Sequence, residues 1–308
     1  MRELELTLNR HFDEYRVTIG YSPFFCSPSL LKPSLFSGKV SVVTGGGTGI
    51  GRAIATELAR LGSKVVIASR KWEVLERAVD TINTDLGKDS VFPQQCNIRK
   101  EDEVKALMQT TVQNHGRLDY VVNNGGGQFV SLAERISAKG WHAVVETNLT
   151  GTFYCCREAY LSWMKENGGA IVNIIADMKK GLPSMSHSGA ARAGVENLTK
   201  SLAIEWASSG VRINSVSPGV IYSETAEANY KSLDFDPFEV ALERIPAWRL
   251  GEVEEVSSVV CFLLSPGASY VTGVTVDIDG GSTLYHCMWN IPKHSKWSPP
   301  GKDIVSKL

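Results

Sequence analysis

Between Gly38 and Leu284, short runs of β-branched and other apolar residues alternate with longer stretches of helical periodicity. The runs that predict buried strands are Val40–Thr44, Lys64–Ala68, Val91–Cys96, Leu118–Asn123, Ala170–Ile175, Val211–Val216 and Val274–Ile278. The clearest helical stretches are Ile50–Leu61, Trp72–Leu86, Glu101–His115 and Val195–Ser208. Because a helix fills nearly every gap, the pattern predicts an α/β fold: a doubly wound, Rossmann-type, seven-stranded parallel sheet with helices on both faces.

The two ends of the chain interrupt this alternation. Residues 1–37 contain prolines and no periodic pattern, and their acidic residues disfavour a secretory or mitochondrial leader, so we expect a flexible N-terminal extension. Residues 38–284 form the predicted reductase-type domain. Residues 285–308 form a polar tail that closes in Ser306-Lys307-Leu308. This tripeptide is read by the peroxisomal import receptor, which we expect as a partner, and it predicts location in the peroxisome.

Composition excludes several classes of function. The 32 Lys and Arg residues are balanced by 33 Asp and Glu residues, so the net charge is −1 and nucleic acid is not an expected partner. No apolar run approaches the ~18 residues of a membrane span. Since no Cys-x-x-Cys pair occurs, we expect neither a disulfide framework nor a bound metal. The cysteines are Cys26, Cys96, Cys155, Cys156, Cys261 and Cys287.

The first predicted strand runs directly into a glycine-rich turn, and a helix follows. The spacing Thr-Gly-x-x-x-Gly-x-Gly permits a tight turn and lets the backbone approach a pyrophosphate. The start of the helix then offers unpaired N–H groups to the phosphates. Strand, turn and helix together predict a dinucleotide site. Its candidate binding residues are Thr44, Gly45, Gly47, Thr48, Gly49, Ile50 and Gly51.

The end of the second strand indicates which dinucleotide is bound. An acidic residue there would accept a hydrogen bond from the ribose 2′-hydroxyl of NAD, whereas an arginine would bind the 2′-phosphate of NADP. Here the strand ends in Ser69, Arg70 and Lys71, without a carboxylate. The sequence therefore predicts NADPH, held by Ser69 and Arg70. The alternative interpretation of the two basic residues is an ordinary solvated helix start.

With three further motifs, this sequence resembles the short-chain dehydrogenase/reductase family over about residues 38–284. The motifs are Asn123-Asn124-Gly125-Gly126, Asn148 within Glu146–Gly151, and Ser217-Pro218-Gly219-Val220. The resemblance implies a homo-oligomer, most often a tetramer. It also implies that Asn97, where the family usually has Asp, and Ile98 lie near the adenine. The remaining implied cofactor contacts are Asn124, Gly125 and Gly126, and, beside the nicotinamide, Pro218, Gly219, Val220 and Ile221.

The segment that carries catalysis in the family departs from the usual pattern. The family's tetrad is Asn, Ser, Tyr and Lys, with the Tyr one helical turn before the Lys. Alignment of the run Ala193–Ala203 places Ser188 at the Tyr position and Arg192 at the Lys position, while Ala176 or a neighbour replaces the Ser. A serine hydroxyl is a far weaker acid than a phenol, which argues against the usual carbonyl chemistry. The resemblance leaves Asn148, Ser188 and Arg192 as catalytic candidates, with Arg192 also binding the cofactor.

Three of the residues in this segment also have plainer interpretations. Arg192 and Glu196 are spaced for an ion pair on a helix surface, which would take Arg192 out of the site. Ser188 has the character of an ordinary residue at a helix N-terminus. His187 is a lone histidine, a type that is more often structural than catalytic. These alternatives are left open by the sequence.

Because it lacks this Tyr, the sequence resembles a subgroup of the family that reduces carbon–carbon double bonds of acyl-CoA thioesters. The resemblance is strongest to the peroxisomal trans-2-enoyl-CoA reductases. The segments that carry this resemblance are Asn123–Phe129, Lys139–Ala143, Val172–Ile175 and His187–Val195, with the terminal tripeptide. It implies NADPH-dependent reduction of the 2,3 double bond of an enoyl-CoA substrate. The Tyr assigned to proton transfer in those enzymes corresponds to Glu196, so that role is not carried over.

Other functions remain open. Reduction of 2,4-dienoyl-CoA is disfavoured because that subgroup has a Tyr just after the fifth strand, where this chain has Ala176-Asp177-Met178. Reduction of 3-oxoacyl groups is disfavoured by the missing phenol, and a non-catalytic NADPH-binding protein is a further alternative. If the substrate is an enoyl-CoA, we expect the region Ile221–Asp236 to form a mobile apolar flap for the acyl chain, through Tyr222, Tyr230, Leu233 and Phe235.

Overall fold

The computed structural model describes residues 31–230, 236–284 and 292–297. Its strands are β1 (Val40–Thr44), β2 (Lys64–Ser69), β3 (Val91–Gln95), β4 (Tyr120–Asn123), β5 (Gly169–Ile174), β6 (Val211–Pro218) and β7 (Thr275–Ile278). They form one parallel sheet of seven strands in the order β3-β2-β1-β4-β5-β6-β7. The predicted doubly wound, Rossmann-type α/β fold is therefore confirmed.

Helices cover both faces of the sheet. They are α1 (Gly49–Arg60), α2 (Trp72–Leu86), α3 (Glu101–His115), α4 (Ala138–Val145), α5 (Gly151–Ala159), α6 (Lys165–Asn167), α7 (Ser186–Glu205), α8 (Glu224–Tyr230), α9 (Pro237–Leu242) and α10 (Val253–Leu264). Two π-helical segments, Glu146–Thr150 and Tyr160–Met164, join α4, α5 and α6 end to end. Such wide turns often mark functional positions, and the first of them contains Asn148.

The prediction for α7 was wrong at its start, because the helix begins at Ser186 instead of Val195. The missed turns consist mainly of glycine and alanine, which carry no apolar periodicity. Close packing explains why small residues stand there: a Cβ on Gly194 would lie 3.0 Å from Leu149 Cδ2 in the neighbouring π-helical segment. The extra turns place Ser188 and Arg192 on this helix.

Adjacent residues of the central strands enter different hydrophobic cores, because side chains alternate across a sheet. Val43 of β1 belongs to a core that includes Leu58 of α1 and Val260 of α10. Its neighbour Val42 belongs to the core on the other face, with Leu107 of α3. Each of these side chains is fully buried. Burial of a large aliphatic side chain contributes about 1.5–3 kcal/mol, so these two layers fix the helices on the sheet.

The chain reverses its direction of winding between β1 and β4, which lie side by side at the middle of the sheet. In doubly wound folds, ligands bind at this switch point, outside the carboxyl ends of the strands. The sequence motifs for a dinucleotide follow β1 and β4 directly. The fold therefore brings them to one crevice.

Several predicted features lie outside the described residues: most of the N-terminal extension, Cys26, Cys287, Leu233, Phe235 and the terminal tripeptide. The division into residues 1–37, 38–284 and 285–308 stays a prediction. The cysteines that are described, Cys96, Cys155, Cys156 and Cys261, are buried free thiols. Among the helices of the described ranges, none has the length and apolar character that a membrane crossing requires.

Candidate functional site

The turn after β1 can be formed only by glycine. Gly45 and Gly49 have φ angles of 65° and 51°, in the left-handed region that other residues avoid. A Cβ on Gly51 would overlap the Gly45 carbonyl oxygen, and one on Gly46 would lie 2.6 Å from Ile67 Cγ2. The backbone of the turn at the start of α1 is therefore not covered by side chains, so a pyrophosphate can approach its N–H groups.

Thr44 and Asn124 join the ends of β1 and β4 beneath this turn. Thr44 Oγ1 accepts hydrogen bonds from the backbone N–H groups of Asn124 (3.1 Å) and Gly125 (2.9 Å). The Asn124 side-chain nitrogen donates to the carbonyl oxygens of Thr44 and Gly45, both at 3.2 Å. At α1, the side chain of Thr48 makes no capping hydrogen bond, so it does not occupy the first N–H groups of the helix. The predicted phosphate-binding residues therefore come together in one cradle.

At the adenine end, the predicted residues lie after β2 and β3. Arg70 is exposed directly after β2, and its carbonyl oxygen accepts a hydrogen bond from Gln95 Nε2 at 2.8 Å. Asn97 Oδ1 accepts from the backbone of Arg99 at 3.2 Å, which fixes the loop after β3. Ile98 packs beneath the other wall of the crevice, since a Cβ on Gly125 would lie 3.0 Å from its Cδ1. Arg70 and Asn97 thus follow neighbouring strands, an arrangement that fits a nicotinamide dinucleotide.

At the opposite end, Pro218–Ile221 follows β6. The Gly219 N–H donates to the carbonyl oxygen of Ile278 at 2.9 Å, and a Cβ on Gly219 would lie 2.9 Å from Asp279 Cα. The carbonyl oxygen of Val220 accepts from the Gly251 N–H at 3.0 Å, and Ile221 is buried. The four predicted residues thus form one side of the crevice, held by backbone contacts on both flanks.

Asn148 and Ser188 are brought together, and Gln128, which was not among the predicted site residues, contacts Ser188. Asn148 Oδ1 accepts from the Gly127 N–H at 2.9 Å, while its Nδ2 donates to the Gly127 carbonyl oxygen at 3.0 Å. Ser188 Oγ donates to Gln128 Oε1 at 2.9 Å. Ser188 Oγ is only 3.5 Å from Asn148 Nδ2. Because a hydroxyl has a single proton, Ser188 uses it on Gln128.

Arg192 completes this cluster from the next turn of α7. Its Nη1 donates to the carbonyl oxygen of Ile174 at 2.6 Å, and a Cβ on Gly126 would overlap its guanidinium. Its buried Nε has no hydrogen-bond partner in the structure. Burial disfavours the charged form and lowers the pKa of Arg192 to about 10. An unpaired donor beside the dinucleotide crevice fits a group that binds ribose or substrate oxygen.

The helix-surface interpretation of Arg192 was wrong. Glu196 instead accepts a hydrogen bond from Lys200 Nζ at 3.0 Å, one turn further along α7. Arg192 is 9% exposed, whereas Lys200 is exposed. The two basic residues on either side of Glu196 therefore face different surroundings, and the buried one faces the site.

Beneath the cluster, buried polar side chains tie α7 to three strands. Asn123 Nδ2 donates to Asn173 Oδ1 at 2.8 Å, and Asn173 Nδ2 donates to Thr199 Oγ1 at 2.9 Å. The hydroxyls of Thr199 and Ser215 lie 2.8 Å apart. Within the described residues Asn123 Oδ1 has no hydrogen-bond partner, but the bonds through Asn173, Thr199 and Ser215 join α7 to β5 and β6. These bonds fix the rotation of α7 that aims Ser188 and Arg192 at the crevice.

Phe129, the residue after Gln128, is one of several exposed apolar side chains in this part of the chain. Phe129 packs edge-to-face on the ring of the buried His187, with centroids 4.4 Å apart. Phe129, Leu132 and Trp141 are each 40–47% exposed. Of the expected flap residues, Tyr222 donates from its hydroxyl to Glu227 at 2.7 Å. For Tyr230, the described structure includes the backbone only.

An acidic group stands where the family has its catalytic serine region, after β5. Burial, and then the charges of Asp279 and Asp277, raise the pKa of Asp177. Ser282 Oγ donates to the Asp177 carboxylate at 3.4 Å. The Asp177 carboxylate is thus directed toward the end of β7. Within the described residues, His, Cys, Asp and Glu form no cluster of three that could hold a metal ion.

A cavity of about 420 Å³ lies between the loop after β5 and α7. It is lined by Met178, Gly181, Leu182, Pro183, Ser186, Gly189, Ala190 and Ala193. None of the three catalytic candidates contributes to this lining. The dinucleotide crevice, where the catalytic candidates lie, is therefore the better candidate for the reaction site.

Comparisons with known proteins agree with this geometry. A family model described as enoyl-(acyl carrier protein) reductase matches residues 45–283. A peroxisomal 2,4-dienoyl-CoA reductase of Danio rerio is 36% identical over 258 residues, which covers 83% of this chain and 85% of the relative. A 3-oxoacyl-[acyl-carrier-protein] reductase of Staphylococcus aureus is 38% identical over 246 residues, 79% of this chain and 97% of the relative.

A solved structure gives the same result. The citronellol catabolism dehydrogenase of Pseudomonas aeruginosa PAO1 superposes with a TM-score of 0.74 at 44% identity, covering 83% of this chain and 99% of that one. Both the sequence and the fold of the domain are thus shared with oxidoreductases that use a nicotinamide cofactor.

Proposed function

The chain belongs to the short-chain dehydrogenase/reductase family, and on that premise we propose that it reduces the 2,3 double bond of trans-2-enoyl-CoA thioesters with NADPH. The observation that carries the proposal is the Ser188–Gln128 hydrogen bond of 2.9 Å. The position of the family's phenol holds a serine hydroxyl, a far weaker acid, which donates its hydrogen bond to Gln128; the described site therefore offers no phenol-type acid for reduction of a ketone. In reduction of an activated double bond, the negative charge that hydride addition produces lies on the thioester oxygen, where hydrogen-bond donors can stabilise it, and the α-carbon is protonated afterwards.

NADPH, when bound, supplies the hydride that is added to the β-carbon of the substrate. The remaining task of the protein is to hold the alkene in place and to stabilise the enolate oxygen. Gln128 is suited to this task, because Ser188 fixes its carbonyl oxygen and thereby orients the amide nitrogen. Arg192 contributes positive charge, and Asn148 fixes the loop through Gly127. The proton for the α-carbon then comes from a bound water.

The relatives favour acyl thioesters as the substrate class. One of them is named as a reductase of 2,4-dienoyl-CoA and another as a reductase of 3-oxoacyl groups on a carrier protein. The exposed apolar side chain of Phe129, the residue after Gln128, is suited to contact with an acyl chain. Reduction of 2,4-dienoyl-CoA is the second candidate, supported by the name of the Danio rerio relative.

One experiment tests the proposal. The protein is incubated with NADPH and, in parallel, with trans-2-hexenoyl-CoA, 2,4-hexadienoyl-CoA or 3-oxohexanoyl-CoA, and product masses are followed. We expect a gain of two hydrogens on the trans-2-enoyl-CoA at the highest rate. Faster turnover of the dienoyl or oxoacyl substrate would contradict the proposal and identify that reaction as the function. Binding of NADPH without turnover of any substrate would indicate a non-catalytic binding protein.

Cofactor preference is expected to depend on Arg70, which is exposed after β2 where NAD-specific relatives need a carboxylate. The change Arg70→Asp should weaken NADPH binding at least tenfold and strengthen NADH binding, because the 2′-phosphate would meet a negative charge. Titration calorimetry with both cofactors measures this. Lys71→Asp is the matched control and should have the smaller effect. Equal affinities of the unmodified protein for NADPH and NADH would contradict the assignment.

We also propose delivery to the peroxisome and assembly as a homo-oligomer, a tetramer by analogy with the family. A fluorescent protein fused before Met1 should appear in puncta that coincide with a peroxisomal marker. Deletion of Ser306-Lys307-Leu308 should disperse the signal, because the import receptor reads this tripeptide. Puncta that persist after the deletion would show that the tripeptide is not the signal.

A further inference from the structure

The segment Ile245–Gly251 connects the nicotinamide side of the crevice to the end of β7. Its Gly251 N–H donates to the carbonyl oxygen of Val220 at 3.0 Å, and its Gly251 carbonyl oxygen accepts from the Tyr222 N–H at 2.8 Å. At the other flank, the Ala247 N–H donates to the carbonyl oxygen of Gly280 at 3.1 Å. A displacement of this segment would therefore be passed directly to the backbone that borders the nicotinamide.

The segment is held in an unfavourable conformation. Trp248 has a φ of 55°, which is rare for a bulky side chain. Its indole N–H is buried and has no hydrogen-bond partner in the structure. Two local costs at one residue persist only when surrounding contacts over-determine the conformation.

Pro292–Trp297 supplies such contacts. His294 Nε2 is 2.9 Å from the carbonyl oxygen of Pro246, so this nitrogen carries the proton and donates. Lys293 Nζ stands 5.6 Å from the centre of the Trp248 ring. The carbonyl oxygen of Trp297 accepts from Arg249 Nε at 3.1 Å. Three residues of this segment, Lys293, His294 and Trp297, thus contact three of the four positions from Pro246 to Arg249.

Pro292–Trp297 lies beyond residues 45–283, the part of the chain that matches the family model. The contacts to Ile245–Gly251 are therefore made by a segment outside the residues that the family model matches. A role specific to this chain follows more naturally than a role in the common fold.

We propose that Pro292–Trp297 is a positioning element that holds Ile245–Gly251 and, through Gly251, keeps the substrate side of the crevice in its binding-competent form. When a site is competent for only a fraction of the time, its apparent affinity falls by that fraction. Loss of the element should therefore weaken binding of the acyl-CoA and leave the phosphate and adenine contacts of the cofactor unchanged. The arm of the test that uses enoyl-CoA turnover rests on the proposed function.

Two truncations give a matched comparison. A chain that ends at Ile291 lacks the element, and a chain that ends at Trp297 retains it. For the Ile291 form we expect the KM for trans-2-hexenoyl-CoA to rise at least fivefold, with kcat and the Kd of NADPH within twofold of the full chain. The Trp297 form should behave as the full chain does. A lower kcat and melting temperature with an unchanged KM would indicate a purely structural role and overturn the proposal.

Point variants locate the contact. His294→Leu should reproduce a large part of the increase in KM, and His294→Gln, which keeps a donor, should restore the original value. Lys296→Ala should have no effect, because the contacts to Ile245–Gly251 are made by other residues of the element. An increase in KM for Lys296→Ala as large as that for the Ile291 form would mean direct binding of substrate, and would overturn positioning.

A second measurement is independent of turnover. Trypsin cleaves after Arg244 and Arg249, so its rate reports how firmly the segment is held. Cleavage there should be at least fivefold faster in the Ile291 form than in the Trp297 form. If the full chain reduces no enoyl-CoA, the proposed function is wrong. The rate of trypsin cleavage then shows by itself whether Pro292–Trp297 holds the segment Ile245–Gly251. Equal cleavage rates would refute the role of Pro292–Trp297 in either case.

Discussion

Replacement of Arg192 by methionine should reduce trans-2-enoyl-CoA turnover about a hundredfold. The guanidinium is buried, its Nη1 donates to the Ile174 carbonyl oxygen at 2.6 Å, and its Nε has no hydrogen-bond partner among the residues that the structure describes. Removal of one well-placed donor to a developing oxyanion costs about 10²–10³ in rate. Methionine keeps most of the volume and removes the buried charge, so the fold should not be destabilised. Initial rates with NADPH and thermal melts measure both effects.

Two companion variants make this result decisive. Arg192→Lys keeps a cation at this position, so its turnover rate should be at least tenfold higher than that of Arg192→Met. Glu196→Gln should leave turnover within a few-fold, because Glu196 pairs with the exposed Lys200 and not with Arg192. If Glu196→Gln were nearly inactive while Arg192→Met remained mild, the alignment that places Arg192 in the site would be refuted.

The sheet could be predicted from the sequence because its strands are nearly continuous apolar runs. Val40–Thr44, for example, is buried at every position. A short, continuous apolar run of this kind is typical of a strand that is covered on both faces of a parallel sheet. The glycine turn was equally readable, since Gly51 has no room for a side chain. Both signals are local in the chain. A local pattern determines them before any tertiary contact is considered.

The start of α7 and the partner of Glu196 could not be predicted in this way. Gly189–Ala191 has no apolar periodicity, and its helix is specified by close packing against α4 and the adjoining π-helical segment. Glu196 is spaced equally well for Arg192 and for Lys200. Only the rotation of α7, which the network through Thr199 fixes, decides which of the two cations is buried.

Gln128 was missed for a related reason. It lies in the segment Asn123–Phe129, which resembles the enoyl-CoA reductases over its whole length, but nothing in the neighbouring sequence shows how its side chain is oriented. Contacts from two distant helical segments decide that. Asn148 fixes Gly127 through two hydrogen bonds. Ser188 donates a hydrogen bond to Gln128 Oε1 and thereby orients the carboxamide of Gln128. Pairs separated by 21 and 60 residues therefore build the site.

The change Gln128→Glu should lower kcat for trans-2-hexenoyl-CoA by about a hundredfold. The substituted side chain has almost the same shape and still accepts the hydrogen bond from Ser188, but it loses the amide donors. It also places negative charge where the thioester oxygen becomes negative in the transition state, and this charge opposes the reaction. The Kd of NADPH should stay within twofold, because the phosphate cradle is formed by other residues. Steady-state kinetics and calorimetry measure the two quantities.

A matched control and a second variant separate the roles in this pair. Gln113→Glu makes the same change of charge at an exposed position of α3 and should leave kcat unchanged. Ser188→Ala should cost only about tenfold, since it removes the group that orients Gln128 and not the donor itself. The double variant Gln128→Ala/Ser188→Ala should be no slower than Gln128→Ala alone, because the two residues act as one unit. If Ser188→Ala cost more than Gln128→Glu, the serine hydroxyl itself would be the donor to the substrate. That ranking would reverse the assignment made from the 2.9 Å contact.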